Sequence, residues 1–438
     1  MRLTSVTRMH LPPGRLYTYV VRTDGPLGRR LPVSFDQRRH VSEGARPASW
    51  MAVAFRLPDD IDRDLLGRAW MRVVARHGTL RTVFVADDES AVPELTLHEV
   101  DVAAQGWIPA DADELCSTPD ELRMLVRNVF DDACTPFARP AHRLCVVEPE
   151  TNESVTVIIG ADHSHVDMLS WQVLVRDVIA AADDIRQGVE TAACAPAFAE
   201  HTAELEAMPP APEAITDRWR RILDIEGGAM PRFPLPLGEL SQPGPAHVEV
   251  RDVLDAAQLA GFDRRSAELG VRPIALAVSV LTSATARVAD GAPLRAVFPV
   301  HSRHERRWHD AVGWFITNAV LESVDPDPTA CAAAVRGAVA LGSYPLAPIL
   351  APYGGMPVRP GMFALSWLDA RRLPVPADPA WDVQHVSAAV DVDGVMAWFT
   401  VTDRGLQMRC RFPQTVEAEE NVGRWLEAVV AGLRAAAS

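Results

Sequence analysis

The sequence predicts an α/β (α+β) chain built as two lobes, each mixing strands and helices. Three observations carry this. The 438 residues exceed what one hydrophobic core ordinarily organises. Strand and amphipathic-helix patterns recur on both sides of the middle. Between them lie the two densest Pro and Gly stretches of the mid-chain, MPPAPEAITD and EGGAMPRFPLPLGELSQPGPA. The expected organisation is a first lobe over 1–210, a linker region over 211–246 and a second lobe over 247–438, with no short-period repeat.

The elements follow in order. MAVAFRL reads as a strand, after which Asp60 or Asp62 caps a helix with Leu65, Leu66, Ala69, Trp70, Val73 and Val74 at helical spacing. ESVTVIIGADH is a nearly continuous apolar, β-branched run, which suits a strand buried on both faces. Ser170 is the expected cap of a helix carrying Trp171, Leu174, Val175, Val178 and Ile185. A short helix surrounds Trp219. The second half opens with helices LDAAQLAGFDRRSAEL and RPIALAVSVLTSATARVA, then a strand LRAVFPV. Near its end QHVSAAV, VMAWFTV and LQMRCRF alternate around DVDG and TDRG turns, as a three-stranded antiparallel meander would. A final helix places Val422, Trp425, Leu426, Val429 and Leu433 on one face.

Composition excludes several function classes. With 43 basic against 58 acidic residues the formal charge is -15, which repels phosphate backbones, so no nucleic-acid partner is expected. The chain contains no lysine, which removes Schiff-base chemistry of the pyridoxal-phosphate and aldolase kind. Its six cysteines show no CxxC pair and no framework spacing, so reduced thiols are expected. The opening MRLTSVTRMHLPPGR lacks a signal peptide's apolar core, and PIALAVSVLTSATA falls short of the ~20 residues of a membrane span. A cytoplasmic location without a membrane span follows as the expectation.

The chemistry concentrates in ADHSHVD, where the buried strand gives way to the next helix. His163 and Asp167 form an HxxxD pattern in a loop that a scaffold can aim at a cleft. A neutral imidazole there takes a proton from an attacking alcohol or amine, because it titrates close to working pH. A buried aspartate needs a cation, and with no lysine that partner is an arginine. The plain alternative is a surface histidine beside a satisfied core histidine.

Several segments resemble the condensation-domain superfamily, which includes nonribosomal-peptide condensation domains and the polyketide-associated acyltransferases of actinobacteria. LPVSFDQRRH, with Gln37, resembles the family's opening segment. RHGTLRTVF resembles its RHxxLRTxF signature, TPFARPAHRLCVV the strand entry before the active site, and DRWRRIL the helix before the inter-lobe linker. PVHSRHERRWHDAVGWFITNAVLE resembles the family's GR segment and GxFxN strand, with Arg303, Gly313, Phe315 and Asn318 at matching positions.

The resemblance implies two chloramphenicol-acetyltransferase-like lobes in a V, with the active site at their junction and a channel that donor and acceptor enter from opposite ends. It further implies His163 as general base, Asp167 as structural aspartate and Arg303 as its partner. Asp162, His165, Met168, Gly313, Trp314, Asn318 and Trp367 are candidates for lining the channel or shaping the loop. Asp162 stands where the family has its first histidine, a change seen in the polyketide-associated branch. Met168 replaces the glycine after the aspartate. The implied activity moves an acyl group from a carrier-protein or coenzyme A thioester to a hydroxyl or amine, in natural-product or lipid biosynthesis. The expected partners are an acyl or peptidyl carrier protein or acyl-coenzyme A and a small alcohol or amine. No metal or organic cofactor is needed beyond the donor's own phosphopantetheine or coenzyme A, and a monomer is expected.

Two other readings use the same residues. HSHVD matches the first part of an HxHxDH zinc pattern, which would make a metallohydrolase, although Met168 stands where the final histidine belongs. A catalytically silent docking protein of the same fold is the other, kept open by Met168. No serine or cysteine stands in a GxSxG elbow, which favours direct transfer without an acyl-enzyme.

Overall fold

The computed structural model describes residues 2–87, 94–111, 116, 118–150, 153–190, 193–375 and 378–438. In chain order it begins with β1 (Arg2–Ser5), β2 (Gly14–Asp24), β3 (Arg30–Leu31), α1 (Phe35–Val41), β4 (Trp50–Arg56), α2 (Arg63–Arg76) and β5 (Thr82–Asp87). There follow β6 (Glu94–Glu99), β7 (Asp101–Pro109), α3 (Pro119–Ala133), β8 (His142–Pro149), β9 (Thr156–Asp162), α4 (Met168–Arg186) and α5 (Phe198–Glu206). The second half runs α6 (Glu213–Ile225), β10 (Ala246–Asp255), α7 (Ala256–Glu268), α8 (Pro273–Val288), β11 (Leu294–His301), β12 (Ile316–Ser323), α9 (Pro328–Leu341) and α10 (Leu346–Leu350). It ends with β13 (Phe363–Asp369), β14 (Gln384–Ser387), β15 (Val395–Thr402), β16 (Gly405–Pro413) and α11 (Val416–Ala436).

These elements form two compact units. The first comprises 1–207 together with 303–315 and 374–389; the second comprises 208–302, 316–373 and 390–438. The division differs from the contiguous lobes expected from the sequence. The Pro and Gly content does mark where the chain first changes unit, but two later segments return to the first unit.

The first unit is organised by a seven-stranded sheet in the order β1-β14-β4-β9-β8-β2-β7. β1 and β14 run parallel, and every other neighbour pair is antiparallel. All seven residues of β9 are buried, as its unbroken apolar run requires. At Gly160 on that strand an added Cβ would lie 2.7 Å from the Phe130 ring, so the aromatic packs directly on backbone. A three-stranded sheet, β3-β6-β5, closes over its own core of Leu31, Val33, Val41, Phe84, Leu95 and Leu97. α2 starts at Asp62, whose side chain accepts from Leu65 N at 2.7 Å, and buries the predicted Leu65, Leu66, Ala69, Trp70, Val73 and Val74.

The second unit has a six-stranded sheet, β10-β16-β15-β13-β11-β12, in which β13 runs parallel to both β11 and β15. α11 buries Val422, Trp425, Leu426, Val429 and Leu433 completely. The expected three-stranded meander is corrected here. β15 and β16 form an antiparallel hairpin, but β14 joins the other unit, between β1 and β4. Alternation along QHVSAAV identifies a strand without naming its partner, and register with Leu3 and Ala52 decides the pairing.

All six cysteines are free thiols, four of them buried. Among the described residues no single helix is long and apolar enough to cross a membrane. Two bent segments, α7 with α8 and α9 with Leu346–Tyr353, reach that length only across turns of 96° and 95°.

Candidate active site

The site grows from the end of β9. Asp162 is its last residue, His163–His165 make one tight helical turn, and α4 begins at Met168. The cap of α4 is Asp167 rather than the expected Ser170. The Asp167 carboxylate accepts from Ser170 N at 2.8 Å, while the Ser170 hydroxyl accepts from Asp167 N at 3.3 Å. This reciprocal box places serine at the third helical position, where its hydroxyl serves both backbones.

Asp167 also meets the cation that its burial demands. The Arg303 Nη2 approaches Oδ1 at 2.9 Å and Oδ2 at 3.1 Å, Nε lies 3.3 Å from Oδ2, and Phe315 N donates to Oδ2 at 3.1 Å. Arg303 gives its remaining nitrogen to Trp308 O and Ala311 O at 2.7 and 2.6 Å, and its guanidinium lies 3.8 Å above the Phe315 ring. Both side chains are at most 3% exposed. The Ser170 hydroxyl accepts from Gly313 N at 3.0 Å and gives its one proton to the Asp167 carboxylate at 2.8 Å, with Gly313 O at 2.9 Å the alternative acceptor. Gly313 is needed for space, because a Cβ there would sit 2.4 Å from Phe198. Every donor and acceptor around the ion pair is thus engaged, the condition for burying one.

His163 is partly buried and stacks on Trp314 with ring centroids 4.1 Å apart and planes 14° off parallel. Its Nδ1 lies 3.0 Å from Val166 O. A carbonyl only accepts, so Nδ1 carries the proton and Nε2 presents a lone pair. Burial pulls His163 down to about 4.

Asp162 is fully buried and accepts from Ser164 N at 2.9 Å, from the Ser164 hydroxyl and from His40 Nε2 at 3.3 Å. Burial pushes this carboxyl up, but the hydrogen bond from His40, with that from Ser164, outweighs it and holds Asp162 at about 2. Gln37 donates to Ser164 O at 2.9 Å, which ties α1 to the turn. His165 is buried against the edge of Phe84, its Nδ1 3.0 Å from the Ser164 hydroxyl, and burial lowers it.

The RHGTLRTVF segment acts at one remove. Arg76 and His77 both reach the Asp177 carboxylate of α4, at 3.0 and 2.8 Å, and Arg176 joins it to Asp310. Burial pushes Asp177 up, yet His77 and Arg176 hold it at about 2. The end of α2 is thereby clamped to the helix that carries Asp167.

The first unit therefore brings together Asp162, His163, His165, Asp167, Met168, Arg303, Gly313 and Trp314. Asn318 lies in the second unit, paired in register with Pro299, and Trp367 in the same sheet stacks against Phe399. Met168 is the first residue of a helix and has no positive φ, so its position demands no glycine. His163, His165 and Asp167 do not converge as a zinc site would require: one imidazole is turned to Val166, one to Ser164, and the carboxylate is taken by Arg303. Among the described residues no group of three or more metal-ligating side chains is placed to hold an ion. Sequence reasoning missed His40, Arg46 and Ser170 as parts of this array. Only the acid at position 162 hints at a partner, with no spacing that points to residue 40.

The condensation-domain family model matches residues 30–335, most of the chain and the whole HxxxD region. The chain belongs to the condensation-domain family. Among curated members it is 23% identical over 424 residues to the acyltransferase PapA3 of Mycobacterium tuberculosis, covering 90% of this chain and 87% of that protein. A dimodular nonribosomal peptide synthase of Bacillus subtilis is 31% identical over 163 residues, 34% of this chain but 6% of that much longer protein. In structure the chain superposes on the PapA2 acyl transferase with a TM-score of 0.84 at 18% identity, covering both chains fully. The first condensation domain of the CDA synthetase gives 0.70 at 14% identity, over 94% of this chain and 97% of that one. The family's two-lobed α/β fold is the fold seen here, and its members are acyltransferases and condensation enzymes.

Proposed function

We propose that this protein transfers an acyl group from a thioester, carried by a carrier protein or coenzyme A, to a hydroxyl or amine, with His163 as general base. The observation that carries the reading is the Nδ1 hydrogen bond to Val166 O, which leaves the lone pair on Nε2 of a ring stacked against Trp314. Nε2 takes the proton as the acceptor attacks the thioester carbonyl, and the same proton is returned to the departing thiolate. Asp167 does not touch substrate in this scheme. With Arg303, Ser170 and Phe315 N it fixes the turn on which His163 rides, a positioning role. Membership of a family of acyltransferases supports the reaction class; the donor, the acceptor and the choice of ester or amide belong to the proposal.

The test is acyl transfer from a panel of coenzyme A and carrier-bound thioesters to simple alcohols and amines, comparing the native protein with His163→Ala. Loss of turnover in the variant supports the base and names the acceptor class. Equal rates in both proteins overturn it and turn attention to a silent docking role. A stable acyl adduct on the protein after mixing with donor alone would overturn direct transfer.

A further inference from the structure

His40 is not part of the HxxxD pattern, yet it contacts three members of the site. Its ring lies edge-on to Trp314 at 5.4 Å and edge-on to His163 at 6.0 Å, so it meets both rings of the stack. Its hydrogen bonds fix its orientation. Arg46 Nη2 lies 3.1 Å from His40 Nδ1 and only donates, so Nδ1 is an acceptor. Nε2 then carries the proton and donates it to Asp162 Oδ2 at 3.3 Å. Arg46 is itself held by the carbonyls of His40 and Gly44, at 3.0 and 3.3 Å, and by Glu43. Neither ring nitrogen of His40 is left to take a substrate proton, so His40 is not a second base.

We infer that His40 is a positioning residue of the site, which braces the His163–Trp314 stack and so fixes the direction in which His163 presents its Nε2 lone pair. The inference rests on the reading of His163 as base. The charged and titratable groups around His163 are few. α1 contributes His40, the loop after it Arg46, β9 Asp162 and the turn itself His165, while Asp167 at the start of α4 is neutralised by Arg303. With one nitrogen accepting from Arg46 and the other donating to Asp162, His40 is neutral and acts on His163 through the packing of its ring. An aspartate at position 162 and a histidine at position 40 thus act as a unit that neither forms alone.

The experiment separates the ring from the proton. His40→Phe keeps an aromatic edge and loses the ionisable group; His40→Gln keeps a donor for Asp162 and loses the ring. The His163 imidazole is followed by NMR of the protein labelled at histidine Cε1, its signal assigned by its loss in His163→Gln. In His40→Gln the His163 Cε1–H signal, which the stacked Trp314 ring displaces, is expected to move towards the position of an unstacked histidine, and in His40→Phe to stay near its native position. Turnover is expected to fall further in His40→Gln than in His40→Phe, with kcat moving more than KM. An unchanged His163 signal in His40→Gln, while His163→Ala still abolishes transfer, overturns the inference and leaves the proposed function standing. A displaced signal with transfer intact in His163→Ala does the reverse. If His40→Gln fails to fold by near-ultraviolet circular dichroism, His40→Leu, which also removes the ring, takes its place and its His163 signal decides.

Discussion

Replacing Arg303 by methionine keeps most of the side-chain volume and deletes the cation facing Asp167. The carboxylate, 2% exposed, would retain Ser170 N, the Ser170 hydroxyl and Phe315 N as donors but lose its counter-charge. Breaking a buried pair at one partner costs about 3–5 kcal/mol. The three surviving donors argue for the lower end, about 3 kcal/mol. For a folding unit of 150–250 residues each kcal/mol moves Tm by about 2–4 °C, so a fall of about 6–12 °C is expected. Asp167→Asn isolates the charge from the helix cap, because asparagine also accepts from Ser170 N. Its expected cost is smaller, since Arg303 keeps Trp308 O and Ala311 O. The double variant buries no charge and should be more stable than the sum of the single effects by about 1 kcal/mol or more. The assay is thermal unfolding of the four proteins by circular dichroism, with transfer rates measured on each. An Arg303→Met protein that melts with the native one, or strict additivity in the cycle, would refute a salt-bridge role.

The remaining expectations are simpler. His163 at about 4 makes the base neutral above that pH, so kcat/KM should fall as pH drops through the region of 4 and be insensitive to this group from 6 to 8, as a pH–rate profile will show. His142 and His385, pushed down by burial to about 3, and His163 are all depressed on folding. Their contribution to stability is complete above the unfolded value of about 6.5 and is lost as pH falls towards the folded values, so Tm should decline below pH 6.5 before any carboxylate held at about 2 is protonated. Gly313→Ala should destabilise by about 1–3 kcal/mol in urea unfolding, because its Cβ would meet the Phe198 Cβ and Cγ at 2.4 Å. Met168→Gly should not raise transfer activity, and should lower Tm slightly through its cost at a helix start.

The sequence disclosed most of the local structure. Strand β9, helix α2 with its Asp62 cap and the buried face of α11 follow from apolar spacing alone, because each is decided within a dozen residues. The Asp167–Arg303 pair was legible through the absence of lysine and the family's pattern, although its residues lie 136 positions apart. What was not legible depends on partners distant in sequence. β14 alternates like its neighbours yet leaves them for β1 and β4. Gly313 reads as a motif glycine, and only the packing shows that Phe198 occupies the space of its side chain. His40 and Asp162 carry no spacing rule that would join them.

The route of the chain through the first unit has a consequence for how the protein is made. β1 has one neighbour in its sheet, β14, and β14 is encoded some 180 residues after the first stretch of that unit, 1–207, has been synthesised. At about 5–20 residues per second the ribosome needs roughly 10–40 s to cover that stretch. Throughout it the nascent sheet ends at β4, an apolar edge with unpaired backbone groups, and Asp167 lacks its cation until residue 303 emerges. The expected consequence is that the yield of native protein depends on translation speed through the middle of the gene and on how well the β4 edge is covered in the meantime.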